Sequence, residues 1–405
     1  MRRLASRRRA RPQFIHLVRE TLVRTAVGGF IGTVLGCAGD PAGPCDPDPP
    51  TGELGTICGF QNPEDVEVVA SLGALIVSEM VRSGEETGSL SAVDLRVDPP
   101  TPRRLWPDDT TVRTTVPTTR TQRIAPRPHW LDADCTTPPK SDRFSPHGIG
   151  AHDAGDGTAL LAVVSHGPRE AIEVFELQRP EGEPLRARWL GCVRLPPRTM
   201  ANDVIVSGRG SVLTTRYRPT LSAVGAVFYD VIAGLGGNTG EVLQKLPGQS
   251  WQKVVNSQAA GPNGLLQSAN AVYFAQTGLG SISAVSHDGG RRDVSIEGYP
   301  DNLSWSPDGE IYAVSHTEGL GFVVCSAGKR PCRTAWSLFE IEPDSLRVRE
   351  RLRHDGSVLG AVASVAYFEG RLFFGAVFGD RIGVLRDSGD RGAGVLQTAE
   401  SNGSE

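Results

Sequence analysis

Apolar residues fall into short runs along this chain, and Gly, Asp, Asn or Pro punctuates nearly every run. That is the pattern of β-strands joined by tight turns. In six places the same succession recurs: a polar or glycine residue, an apolar strand, a turn, a second apolar strand. The six read "EDVEVVASLGALIVSEM", "HGIGAHDAGDGTALLAVVSH", "NDVIVSGRGSVLTTRY", "NGLLQSANAVYFAQT", "DNLSWSPDGEIYAVSH" and "LGAVASVAYFEGRLFFGAVF". Outer strands follow several of them, in "LSAVDLRV", "AIEVFELQ", "SISAVSHDG" and "SLFEIEPDSLRVRERL". Four strands per unit, repeated every forty to sixty residues or so, predict an all-β fold, a six-bladed β-propeller. A β-sandwich has strands at similar spacing, and the hairpin signals "SPDGEIYAV" and "FEGRLFFGAV" fit both. The recurrence decides for the propeller.

The pattern breaks in four places. "DPAGPCDPDPPTGELG" reads as a Pro-, Gly- and Asp-rich tether, placed at 38–57, ahead of a propeller domain at 58–386. Residues 98–142 form an irregular insert rich in Pro, Thr and Arg. Within 216–237, Leu221, Val224, Val227, Phe228 and Val231 recur at helical spacing, and Gly234 is placed to end the run. Residues 387–405 have the composition of a disordered tail.

Composition adds bounds. The chain has 405 residues, 39% hydrophobic and 22% charged, which is ample for a core. A formal charge of −4 argues against a nucleic-acid partner. "MRRLASRRRARPQ" is a basic leader, and "TAVGGFIGTVLG" is an apolar stretch too short to span a bilayer comfortably. It ends in "VLGC", so residues 1–37 resemble a bacterial lipoprotein signal with Cys37 as the lipidated residue; a plain secretory signal is the alternative. Either route exports the protein to the periplasm or cell envelope, where disulfides are permitted. Setting Cys37 aside leaves six of the seven cysteines, and "CSAGKRPC" predicts a Cys325–Cys332 bridge across a Gly- and Pro-containing turn. No Cys/His cluster has zinc spacing.

In a propeller the first strand of each blade lines the central channel, so the residues at its start converge on the axis. Here they are Glu64-Asp65, His147, Asn202-Asp203, Asn263 and Asp301-Asn302. Carboxylate and amide oxygens are hard ligands that suit calcium. Glu64, Asn202, Asn263, Asp301 and Asn302 form one tier. Asp65 and Asp203 come one residue later and belong to a deeper tier, a second cation site. His147 opens an inner strand and His166 closes the strand paired with it, so the two imidazoles can meet at the channel mouth. His316, in "AVSHTEG", holds the equivalent strand end of another blade and is a candidate pocket residue.

"NPEDVEVV", "FSPHGIG", "VVSH", "MANDVIV", "GPNGL", "PDNLSWSPDGEIYAVSH" and "LGAVASVAYFEGRLFFGAVF" resemble, in this order, the motifs of the paraoxonase/arylesterase family. The resemblance covers roughly 55–386, apart from the inserts. It implies two calcium ions in a propeller channel: a catalytic one held by Glu64, Asn202, Asn263, Asp301 and Asn302, and a structural one held by Asp65, Asp203 and the backbone carbonyl of Ile149. It implies hydrolysis of lactones and aryl esters, with His147 and His166 activating water; Asp301 or Glu64 acting as base or nucleophile stays open. It places a partly helical lid at 216–237, with Tyr217 and Phe228 as candidates for the apolar wall over a small-molecule substrate. The animal members join their chain ends by a disulfide; Cys58 matches its first half, but "RIGVLRDSG" lacks the second. Closure must therefore rest on strand pairing or another bridge. Two other readings stay open: a gluconolactonase- or strictosidine-synthase-like propeller, and a non-catalytic, calcium-stiffened binding propeller. Oligomeric state is open as well.

Overall fold

The computed structural model describes residues 45–81, 87–107, 128–206, 210–220, 223–319, 321–322, 325, 333–387 and 394–395. The strands assort into six sheets, antiparallel but for one short added strand, arranged as the blades of a propeller. The first strand among the described residues is β1 (Leu54–Cys58). Blade one is β2 (Pro63–Val69), β3 (Ala74–Glu79), β4 (Ser89–Asp94) and β5 (Pro102–Trp106). Blade two is β6 (Pro146–Asp153), β7 (Thr158–His166), β8 (Glu170–Gln178) and β9 (Arg186–Arg194). Blade three is β10 (Thr199–Val206), β11 (Val212–Pro219), β12 (Glu241–Lys245) and β13 (Gln252–Lys253), interrupted by α1 (Ala223–Gly234). Blade four is β14 (Pro262–Gln267), β15 (Ala271–Gln276), β16 (Ser281–Ser286) and β17 (Arg291–Ser295). Blade five is β18 (Tyr299–Trp305), β19 (Ile311–His316), β20 (Trp336–Ile341) and β21 (Val348–His354). Blade six is β22 (Val362–Phe368), β23 (Arg371–Ala376), β24 (Arg381–Arg386) and, as its outer strand, β1. Every recurrence read from the sequence is the inner hairpin of one blade.

The core is divided among the gaps between neighbouring blades. Phe144, Leu161 and Phe175 pack against Leu72, Ile76 and Trp106 between blades one and two. Similar layers fill the other gaps, down to Ile57, Phe373 and Ile382 against Val66 and Leu75 between blades six and one. Each sheet is thus covered on both faces. That is why its central strands read as near-continuous apolar runs rather than strict alternation.

The ring closes by strand pairing. β1 runs antiparallel to β24, with Leu54 opposite Leu385 and Cys58 opposite Arg381. Arg386 reaches Asp48 at 2.6 Å, and a Cys45–Cys58 disulfide loops the segment onto itself. The expected tether therefore ends earlier than 57, because its last residues find edge hydrogen bonds in blade six. The expected insert at 98–142 is shorter too: Pro102–Trp106 is the outer strand of blade one, and Cys135 is bridged to Cys192 of β9. In the tail, β25 (Gly394–Val395) pairs parallel with β21. Cys325 is disulfide-bonded, while Cys332 lies outside the described residues, as do Cys37 and the leader. Two described disulfides fit an oxidising compartment. Among the described residues no helix is long and apolar enough to cross a membrane.

Candidate functional site

All six inner strands share one irregularity. The register with the second strand slips between Pro63 and Asp65, Pro146 and Ile149, Ala201 and Val204, Pro262 and Leu265, Pro300 and Leu303, and Val362 and Ser364. The residues skipped are Glu64, His147-Gly148, Asn202-Asp203, Asn263-Gly264, Asp301-Asn302 and Ala363. A β-bulge bends its strand and re-aims the side chain at the bend. Repeated around the axis, it brings the polar residues of five blades to one end of the channel. Proline opens three of these strands, a position where its missing N–H costs no ladder bond, and is the second residue of a fourth, β18. Gly148 and Gly264 let adjacent inner strands close up. A Cβ at Gly148 would overlap the carbonyl oxygen of Asn202, and one at Gly264 the backbone of Asn302 and Asp301.

The upper tier has a distinctive deficit. Glu64, Asn202, Asn263, Asp301 and Asn302 are all buried. Glu64 Oε2, Asn202 Oδ1, Asn263 Oδ1 and Asn302 Oδ1 have no hydrogen-bond partner. The other ends of three of these side chains are held. Asn302 Nδ2 donates to Glu64 Oε1 at 3.2 Å, and Asn263 Nδ2 donates to Thr277 Oγ1 at 3.1 Å. Thr277 in turn donates to the carbonyl of Pro300 at 2.7 Å. Asp301 Oδ2 meets His316 Nε2 at 2.9 Å. Four orphaned oxygens in one buried ring are costly unless something electropositive completes them. Burial first, then the charges of Asp65, Asp301 and Asp203, push the Glu64 carboxyl well above its ordinary range. Among the described residues no Lys or Arg pairs with Glu64 or Asp301, and no group of three or more His, Cys, Asp or Glu forms a metal cluster. The ring's donors are two carboxylates and three amides, an oxygen set that fits a hard cation such as calcium and not zinc.

The lower tier is different. Asp65 Oδ2 accepts the N–H of Ile149 at 2.7 Å, and Asp203 Oδ2 that of Leu265 at 2.7 Å. Each carboxylate also accepts the N–H of the next residue, Val66 at 2.9 Å and Val204 at 2.6 Å. These side chains are staples between neighbouring inner strands. Burial raises the carboxyl of Asp65 to about 7 against the pull of those N–H groups, and raises Asp203 well above its ordinary range. The contact of Ile149 with this tier is through its amide. Glu67 lies two residues along β2 from Asp65 and is raised to about 8 by burial and by Asp65.

His147 and His166 meet as expected. His147 Nδ1 lies 3.0 Å from His166 Nε2, and His147 Nε2 lies 3.7 Å from Glu64 Oε1. Burial, with His166 adding to it, pushes the His147 imidazole down to about 3, so it is neutral at ordinary pH. His316 is only 2% exposed; it stacks on Phe322 with ring centroids 4.2 Å apart and serves as a buried prop for Asp301 rather than an open wall.

The helix predicted within 216–237 forms as α1, and Gly234 ends it. Leu221 and the side chain of Val224 lie outside the described residues. Its Ala233 packs on the turn at Thr277–Leu279 that carries Asn263's partner. The Tyr217 ring packs against Gly261, and its hydroxyl is pushed up chiefly by burial. Phe228 is 61% exposed and packs edge-on against Tyr229, because Ala233 and not Phe228 is on the packed side of the helix. Thr277, Phe322 and Glu170, whose carboxylate lies 2.8 Å from His166, were not foreseen. For Glu170 the signal was present in "SHGPRE", where a short turn sets residues four apart opposite each other.

The chain is 23% identical over 251 residues to serum paraoxonase/lactonase 3 of Oryctolagus cuniculus, spanning 59% of this chain and 68% of that protein. No protein-family profile matches. Similar solved structures include a gluconolactonase from Xanthomonas campestris, 18% identical with a TM-score of 0.47, covering 86% of this chain and 99% of that one. Virginiamycin B lyase from Staphylococcus aureus is 10% identical with a TM-score of 0.41, covering 83% of this chain and 82% of that one. Such likenesses say nothing about chemistry, and the blade architecture stands on the strand pairing itself.

Proposed function

We propose that this protein is an exported, calcium-dependent hydrolase of lactones and aryl esters. The observation that carries the reading is the ring of orphaned oxygens on Glu64, Asn202, Asn263 and Asn302, flanked by a paired histidine, His147, whose Nε2 lies 3.7 Å from the other carboxylate oxygen of Glu64. The distant similarity to a lactonase supports it. Glu64, Asn202, Asn263, Asp301 and Asn302 would hold the catalytic calcium. A second, structural ion would share the remaining lone pairs of Asp65 and Asp203 with the carbonyl of Ile149. Bound in the upper ring, calcium would polarise the substrate carbonyl and offset the charge that develops on its oxygen.

The chain's own residues supply the rest. His147 accepts a proton from water as the water adds to the carbonyl carbon, and returns it to the leaving alkoxide or phenoxide. His166 holds the His147 ring by the 3.0 Å contact. Burial keeps the resting His147 unprotonated, so its Nε2 lone pair is free. The Tyr217 ring packs against Gly261, just ahead of the strand that carries Asn263, and would offer the substrate an aromatic wall. Export attaches the protein to the envelope through a lipid on Cys37, a point that palmitate labelling of wild type against Cys37→Ser decides.

The test is hydrolysis of phenyl acetate and a small lactone panel by the chain from residue 38, with calcium and after chelation, and by His147→Gln. Activity should vanish on chelation and fall about 100-fold or more in the variant. A folded, calcium-loaded protein that hydrolyses none of these substrates would sink the proposal.

A further inference from the structure

We infer that Glu170 is a positioning residue that fixes the proton arrangement of both histidines; the inference rests on the hydrolase reading above. Three contacts run in line. Glu170 Oε2 lies 2.8 Å from His166 Nδ1, His166 Nε2 lies 3.0 Å from His147 Nδ1, and His147 Nε2 lies 3.7 Å from Glu64 Oε1. A carboxylate only accepts, so His166 must carry its proton on Nδ1. In the neutral ring its Nε2 is then a lone pair, and it accepts from His147. That puts the proton of His147 on Nδ1 and leaves Nε2, the nitrogen facing the ring, free to take a proton. The reverse arrangement would set a lone pair of His166 against the carboxylate and place a proton on His147 Nε2, where it blocks the base. One carboxylate thus selects the competent tautomer of an imidazole two contacts away.

The fold builds this locally. β7 ends at His166 and β8 begins at Glu170, and the two are direct cross-strand partners around a three-residue turn. The cation beside it is engaged elsewhere: Arg169 donates to Glu173 at 2.8 and 3.0 Å and to the carbonyl of Thr137 at 2.9 Å. The charge of Glu170 is therefore directed at His166. When His147 takes a proton at Nε2, its Nδ1 proton can pass to His166 Nε2, and the positive charge then rests beside Glu170. No atom is gained or lost beyond the proton taken from water.

Two measurements test this. In histidine-15N-labelled wild type, long-range proton–nitrogen spectra should show His147 and His166 both protonated on Nδ1; Glu170→Ala should give a mixture. This reads the arrangement whether or not the protein is active. In kinetics, Glu170→Ala should lower kcat by about 100-fold with KM within about two-fold, as expected for the orienting partner of a catalytic histidine. Glu170→Gln keeps an acceptor without the charge, so it should keep the tautomer and lose about ten-fold. A His166 protonated on Nε2 in wild type overturns the inference. So does unchanged kcat in a folded Glu170→Ala protein whose wild type is active. An inactive wild type with the Nδ1 tautomers in place overturns the hydrolase reading and spares the proton arrangement.

Discussion

Individual side chains in the channel are organised around what they lack. An amide oxygen without a partner in a buried ring calls for an electropositive complement, which the proposed calcium would supply. Asn263→Ala removes one such oxygen and leaves Thr277 bonded to Pro300. It should weaken calcium binding at least ten-fold, about 1.4 kcal/mol, in a calorimetric titration; unchanged affinity would count against Asn263 as a ligand. Away from the channel, His354 is buried against Trp336 and its Nδ1 accepts the N–H of Gly356 at 2.9 Å, which requires the neutral ring. Burial lowers its pKa below the ordinary histidine value, with Asp355 opposing. The unfolded chain then binds the proton more readily, so the contribution of this ring to stability is full above about pH 6.5 and declines as pH falls below it. His354→Gln should flatten that decline in thermal melts between about pH 7 and 5. The ring residues were legible in the sequence, because "ED", "ND" and "DN" stand at corresponding strand starts. Thr277 was not, because its role depends on a partner that composition does not reveal, and Glu170 was signalled only by its four-residue spacing from His166 across a short turn.

Among the elements, the inner hairpins were the most readable and the outer strands the least. Pro102–Trp106 is an edge strand with two exposed arginines and a proline, features that blunt an edge and mimic a loop. The shared bulge could not be read from any one strand, since a bulge is a property of a pair. β1 was hidden for another reason: five residues after a Pro-rich stretch carry no signal without a distant partner. Its bridge to Cys45 closes a loop with a sequence separation of 13. Cys45→Ser with Cys58→Ser should cost about 2–4 kcal/mol, read as an earlier thermal transition with catalysis intact at low temperature. An unchanged transition would mean that pairing with β24 alone secures the strand.

For the whole molecule, six interblade cores mean that each blade is stabilised by two neighbours, and none has a complete core alone. The two tiers then act together, the lower staples tying neighbouring inner strands and the upper ring needing five blades in place. Sequence recurrence sufficed to foresee this architecture, because each repeat supplies one blade. It did not foresee the closing strand, which belongs to the first turn of the chain and the last blade at once. Asp48 and Arg386, joined across that seam, stand 338 residues apart. In order of synthesis, then, the earliest strand waits for the latest. A ribosome or a translocation channel delivers β1 long before β24 exists, and the entropy of so long a loop delays their meeting further. The circle is a post-delivery event: until the final blade emerges, the half-built ring presents an open edge to every chaperone and protease it encounters.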